Sequence, residues 1–173
     1  MRILVVGNGT QAYYLSRELL AKGHSVVVVT QDPEDATWLA RRLKATIVCG
    51  SGSDPAILED AGIHQADAVI AATGRDPDNL VVCQIAECRF HVPLTLALVH
   101  NPDNREVFSA LGVRNVVSIT PLVSRMIEQR TVADEIQDLA VMAEGRVNVT
   151  ELVLPDASPA LGRPLAELAL PRE

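Results

Sequence analysis

Apolar positions along the chain fall into short unbroken runs that alternate with stretches of helical periodicity. Residues 2–6 form the first run, which ends at Gly7. From 11 to 22, Ala12, Leu15, Leu19 and Leu20 recur at helical spacing, with Arg17, Glu18 and Lys22 on the other face, until Gly23 stops the pattern. Residues 25–29 are a second, β-branched run with no polar alternation, as in a strand covered on both faces. Asp32 then reads as a helix cap with Pro33 at the first position. Glu34 and Asp35 lie in its first turn, and Arg41, Arg42 and Lys44 near its end, which suits the helix dipole. The same alternation predicts strands at 46–49, 68–72, 94–99 and 113–119, with helices at 54–61, 78–90 and 104–111 between them. Six strands spaced by helices at this pace predict a doubly wound α/β fold around a parallel sheet with right-handed crossovers.

Beyond Thr120-Pro121 a further helical stretch, with Leu122, Val123, Met126 and Ile127 apolar, is expected to run to about Met142. It is either a surface for a partner subunit or a plain closing helix. Gly145 marks a boundary. Residues 147–154 alternate as a new strand, and Ser158-Pro159 and Gly162-Arg163-Pro164 precede a short helix expected at 165–168. The organisation expected is thus a sheet domain over 1–120, a helical linker or dimerisation segment over 121–145, and an incomplete further segment over 146–173. A tail this short cannot bury a core of its own, because stand-alone domains below roughly 40 residues usually need a disulfide or a metal.

Composition narrows the function classes. The 173 residues carry 22 acidic and 15 basic side chains, a net charge of −7, which argues against a nucleic-acid or anionic-membrane surface. Aromatic residues are 3% of the chain, so the core must come from Val, Leu, Ile and Ala. No apolar run approaches the roughly 20 residues that span a bilayer, and the first residues do not form a signal peptide. Cys49, Cys83 and Cys88 are too few for a disulfide framework, and Cys83 and Cys88 are badly spaced on a helix for sharing a metal. A cytosolic, reduced protein is expected.

Between the first run and the first helix stands Gly7-Asn8-Gly9-Thr10-Gln11-Ala12, a G-x-G-x-x-A pattern. In a strand–turn–helix context this is the dinucleotide-binding fingerprint of Rossmann-like folds. Gly7 makes the tight turn, Gly9 lets the backbone approach a pyrophosphate, and Ala12 lets the helix pack on the strand. The free amides of the helix start then face the phosphates. An acidic residue is expected at the tip of the second strand to hold the ribose hydroxyls. Thr30-Gln31-Asp32 stands there instead, and the acidic turn of Asp32, Glu34 and Asp35 disfavours the 2′-phosphate of NADP.

The succession of motifs resembles the N-terminal nucleotide-binding domain of TrkA-type regulators of potassium conductance, the RCK domains. The resemblance is carried by residues 1–12, 24–34, Gly50-Ser51-Gly52-Ser53-Asp54, 58–63, 66–73, 76–80 and 101–117. Ala61-Gly62-Ile63 followed by 66–71, and Val107-Phe108 followed by Leu111-Gly112-Val113, are especially typical. The tail around Ser158-Pro159, Leu161-Gly162 and Leu170-Pro171 looks like the opening of the family's C-terminal regulatory domain.

The resemblance implies a cytoplasmic regulatory subunit or gating domain, peripheral to the inner face of the membrane. It also implies a homodimer or larger ring that contacts a potassium channel or transporter subunit. By the same resemblance the ligand is an adenine nucleotide, NAD(H) or ATP/ADP, at Gly7, Asn8, Gly9, Thr10, Gln11, Thr30, Gln31, Asp32, Ser51, Thr73, Gly74 and Arg75. Three positions depart from the family's pattern: an acid is usual at Thr30, an Asp at Ser51, and often an Arg at Leu98. Each lost charged hydrogen bond is worth about 1.5–3 kcal/mol, so a weakened or vestigial site is one expectation. A nucleotide-free dimerising scaffold is therefore a second reading. An NAD-dependent oxidoreductase is a third and weaker one. Of His24, His64, His91 and His100 only His100 lies at the edge where ligands bind, and no general acid–base arrangement accompanies it. No enzyme activity is expected.

Overall fold

In the computed structural model the described residues are 1–132, 136–142, 147–152, 158, 161, 162 and 164. Contacts divide the chain into two units, Met1–Pro121 and Leu122–Glu173. The first unit is a six-stranded sheet in the order β3-β2-β1-β4-β5-β6. Its strands are β1 (Arg2–Gly7), β2 (Ser25–Thr30), β3 (Thr46–Cys49), β4 (Ala68–Ala72), β5 (Leu94–Val99) and β6 (Val116–Ser118). Every neighbouring pair is parallel. The order turns back at β1/β4, which makes this pair the switch point of a doubly wound sheet and opens a crevice outside its carboxyl ends.

The unbroken apolar runs are explained by what covers them. Leu4 and Val6 of β1 and Val27 and Val29 of β2 join Leu58, Ile63, Val82, Ala86 and Phe108 in one buried cluster. Ile3, Val5, Val26 and Val28 point the other way and pack with Ala12, Leu39 and Leu43 in a second. Alternate residues thus serve opposite layers, and each fully buried Val or Leu contributes about 1.5–3 kcal/mol.

The helices of this unit are α1 (Gly9–Ala21), α2 (Pro33–Ala40), α3 (Pro55–Asp60), α4 (Asp76–Gln84) and α5 (Asn104–Ala110). Asp32 caps α2 by accepting from the Glu34 amide at 2.8 Å, and Asp54 caps α3 by accepting from Ala56 at 2.9 Å. Where one helix over 78–90 was expected, α4 starts two residues earlier and passes at Ile85–Arg89 into a single π-turn, closed by the Phe90 amide on the Ile85 carbonyl.

Two expected spans need correction. The sixth strand is three residues long rather than the whole of 113–119. Val113 is buried in the core below it, Asn115 spends its side-chain amide on the Thr95 carbonyl, and Ile119 already begins α6 (Ile119–Val132). The helix expected to reach Met142 ends at Val132. Residues Ile136–Met142 form strand β7, antiparallel to β8 (Val147–Leu152), with a bulge between Asp138 and Ala140. The run Leu139-Ala140-Val141-Met142 fits either period, and pairing with the alternating segment after Gly145 decides it. The strand was expected to reach residue 154, and 153–157 lie outside the described residues, as does the helix expected at 165–168.

Candidate functional site

The crevice at the switch point is a cleft of about 330 Å³, inside the usual range for small-molecule sites. Val6, Val29 and Val82 form its apolar floor. Its rim comes from the ends of four strands. β1 gives Gly7 and Asn8, β2 gives Thr30, Gln31 and Asp32, and the turn after β3 gives Gly50, Ser51, Gly52 and Ser53. The turn after β4 gives Thr73, Gly74 and Arg75, and α4 adds Asp78. Nine of the twelve residues singled out in the sequence therefore line one cavity. Gly9, Thr10 and Gln11 form the first turn of α1 and are not among the lining residues.

The glycine-rich turn is held by contact. A Cβ on Gly7 would stand 2.7 Å from the Ala72 carbonyl oxygen of β4, so only glycine lets β1 end against its neighbour. Gly9 has φ +57°, the left-handed region that costs other residues roughly 1–2 kcal/mol. Asn8 is the N-cap of α1, but its side chain makes no capping bond, and the first turn of α1 holds no acid. The Gly9 amide instead donates to Asp35 Oδ2 of α2 at 2.8 Å.

Thr30 is 2% exposed, and its Oγ1 has no hydrogen-bond partner. A buried hydroxyl left unpaired is costly, and it stands at the strand tip where a ribose would be held. Ser51 Oγ accepts from the Ser53 amide at 3.3 Å. Arg75, with a largely exposed side chain, lies 3.7 Å from Asp78. The charged lining residues are thus one cation with an acid beside it, plus Asp32.

Two residues outside the sequence-chosen set position this edge. Asn79 of α4 is fully buried. Its Nδ2 donates to the Leu98 carbonyl at 2.7 Å, and its Oδ1 accepts from the Thr73 amide at 2.8 Å. Asp76 is 8% exposed and accepts from the amides of His100 (2.8 Å) and Asn101 (3.0 Å) and from Asn104 Nδ2 (2.8 Å). The His100 ring nitrogen Nδ1 lies 3.0 Å from the same carboxylate. Burial pushes the Asp76 carboxyl up, but these four partners outweigh it and bring its pKa down to about 2 from 3.8. The side chain of His100 thus serves the turn after β5 and is not among the cleft-lining residues. The signal for both positions was present in a helix start rich in Asp and Asn, although their partners lie far off in sequence.

Residues 3–119 match the family model of the TrkA-N domain. The chain belongs to the TrkA-N family. This TrkA-N chain is 31% identical over 176 aligned residues to the Trk system potassium uptake protein TrkA of Mycobacterium tuberculosis, a match covering all of the chain and 79% of that protein. Among solved structures it is similar to the GsuK channel bound to NAD, with a TM-score of 0.70 and 27% identity over 80% of this chain and 25% of the channel chain. It is also similar to GsuK bound to ADP, with a TM-score of 0.67 and 30% identity over 78% of this chain and 35% of that one. The Rossmann-like α/β architecture is thus shared with nucleotide-bound relatives. Among the described residues no helix is long and apolar enough to cross a membrane, and no group of three or more His, Cys, Asp or Glu side chains could hold a metal.

Proposed function

We propose that this TrkA-N chain is a non-enzymatic, cytoplasmic regulatory subunit of a potassium uptake system or channel, controlled by an adenine nucleotide at the glycine-rich turn. The observation that carries the reading is the cleft at the switch point, lined by the Gly7 turn, the Thr30 strand tip and the Thr73–Arg75 turn. The proposed contacts follow from position. The start of α1 faces the phosphates, the Thr30 strand tip lies against the ribose, and Ser51 stands where the adenine would lie. Relatives named for potassium uptake, and a channel bound to NAD or ADP, support this function, and the proposed ligands are NAD(H), ATP or ADP.

Nucleotide binding controls a partner only if two conformations bind it unequally. In this reading the chain acts as a homodimer or larger ring against a membrane subunit at the inner face. Support for self-association comes from large apolar side chains left in water: Val107 on α5, Leu111 just after it, and Leu122, Val123 and Met126 on α6 are 43–54% exposed.

Calorimetry and thermal shift with NAD, NADH, ATP and ADP, on the chain and on Gly9→Val, test the reading. One nucleotide at about 100 times its dissociation constant should add roughly 2.7 kcal/mol of stability, and Gly9→Val should abolish that gain while light scattering shows an unchanged oligomer. Equal affinity in Gly9→Val, or a flat response to all four, would overturn it and leave the scaffold reading. The charged groups missing at Thr30 and Ser51 favour that second reading.

A further inference from the structure

The contact between α1 and α2 bears on which nucleotides the cleft accepts. A helix start offers unpaired amides and a positive dipole end, and a bound phosphate would use both. Here the Gly9 amide is already taken by a carboxylate, Asp35 Oδ2 at 2.8 Å, reaching across from a residue 26 positions later. That carboxylate is not required to cap its own helix, because Asp32 does so. The neighbouring cap, Asn8, contributes no side-chain bond that would make Asp35 redundant. The adjoining cleft is also bordered by a buried hydroxyl without a partner. Thr30 is 2% exposed, lines the cavity and keeps an unpartnered Oγ1.

We infer that Asp35 is an internal anion standing in the phosphate position at the start of α1, and that it sets the charge of nucleotide the cleft accepts. The inference rests on the nucleotide-cleft reading above. A phosphate chain can engage the Gly9 amide only after the Asp35 carboxylate withdraws, since two anions cannot share one donor. Asp32 and Asp78 line the same cavity, and Arg75, the one cation among the lining residues, already has Asp78 beside it at 3.7 Å. The discrimination therefore grows with phosphate charge. It is strongest against ATP and ADP, weaker against NAD, whose nicotinamide ring is cationic, and absent for adenosine. Asp35 is a specificity-determining residue, and its withdrawal couples phosphate binding to a movement of α2.

The test is calorimetry on the full 173-residue chain and on Asp35→Asn and Asp35→Ala, with ATP, ADP, NAD, adenosine and inorganic pyrophosphate as probes. Asp35→Asn keeps an oxygen for the Gly9 amide and removes the charge, whereas Asp35→Ala removes both. Melting curves for the two variants verify that at least one is folded. The expected result is ADP affinity raised about tenfold or more, a change of about 1.4 kcal/mol, with a smaller gain for NAD and adenosine within about twofold. Unchanged or weaker ADP binding in both variants overturns the role of Asp35. So does an equal gain for adenosine, which would show mere loosening of the cleft. If the wild-type chain binds ADP and both variants bind it equally, Asp35 falls and the nucleotide site stands. If the variants gain inorganic pyrophosphate without any preference for adenine compounds, Asp35 stands and the adenine-nucleotide reading falls. If nothing binds to any of the three proteins, both fall.

Discussion

Replacing Asn79 by alanine should unfasten the floor of the turn after β4. The wild-type side chain is fully buried and joins two strand ends. Its Nδ2 donates to the Leu98 carbonyl of β5 at 2.7 Å and approaches the Thr73 carbonyl at 3.3 Å. Its Oδ1 accepts from the Thr73 amide at 2.8 Å and has Thr73 Oγ1 at 2.7 Å. Alanine strands the Leu98 carbonyl and the Thr73 amide together. A buried group left unpaired costs about 1–3 kcal/mol. Leu98 is 9% exposed and takes the upper half of that range, whereas Thr73 is only partly buried and takes the lower end. The total is about 3 kcal/mol, or a melting temperature lowered by roughly 6–12 °C at 2–4 °C per kcal/mol for a chain of this size. Urea and thermal melts at neutral pH measure it. Asn79→Asp, which keeps an acceptor but cannot donate to Leu98, should be at least as damaging. A loss below about 2 °C in Asn79→Ala would refute the view that this one amide ties β4 to β5.

Asp76 gives a prediction in pH. Its folded pKa of about 2 lies below the unfolded value of 3.8, so its stabilisation is full above pH 4 and is lost as pH falls toward 2. The wild-type chain should lose up to about 2 kcal/mol across that window, and urea midpoints measured from pH 5 to pH 2 should show a flatter slope in Asp76→Asn. Among the thiols, Cys83 is buried and its pKa is pushed up to about 12, first by burial and then by Glu87, whereas Cys49 and Cys88 are exposed. A thiol reagent should label two cysteines in the folded chain and the third only after denaturation. Three rapid reactions without denaturant would contradict the burial of Cys83.

Strands β1, β2, β4 and β5 were legible because each is a mostly apolar run buried on both faces, and the edge strand β3, exposed at Thr46 and Cys49, because its short apolar run keeps the same spacing between helices. That pattern survives without any knowledge of the partners. The sixth strand was overread for the same reason: Val113 is apolar because it fills the core, yet it takes no part in the ladder. Residues 136–142 were misread because a short apolar run carries no period of its own until β8 pairs with it. In the site, glycine turns and strand tips announce themselves locally, and nine of the chosen residues line the cleft. Asp35, Asp76 and Asn79 did not announce their partners. Each is an ordinary first-turn helix residue in sequence, and each bonds to a group 6 to 28 positions away that only the crossover connections bring near.

The place of β1 at the centre of the sheet has a consequence for how the chain is made. Ile3 pairs with Val26 on one edge and with Ala68 on the other. As synthesis proceeds, the half made of β1, β2 and β3 emerges first, and its connections are local. Until β4 is complete, the second edge of β1 stays open, a row of unsatisfied amides and carbonyls on a strand whose residues 3–6 are all apolar and buried in the finished sheet. Open apolar edges are templates for pairing with other chains. Between the emergence of Cys49 and that of Ala72 the nascent chain therefore carries this open edge of β1, and pairing with β4 closes it and brings together the two strand ends at the switch point.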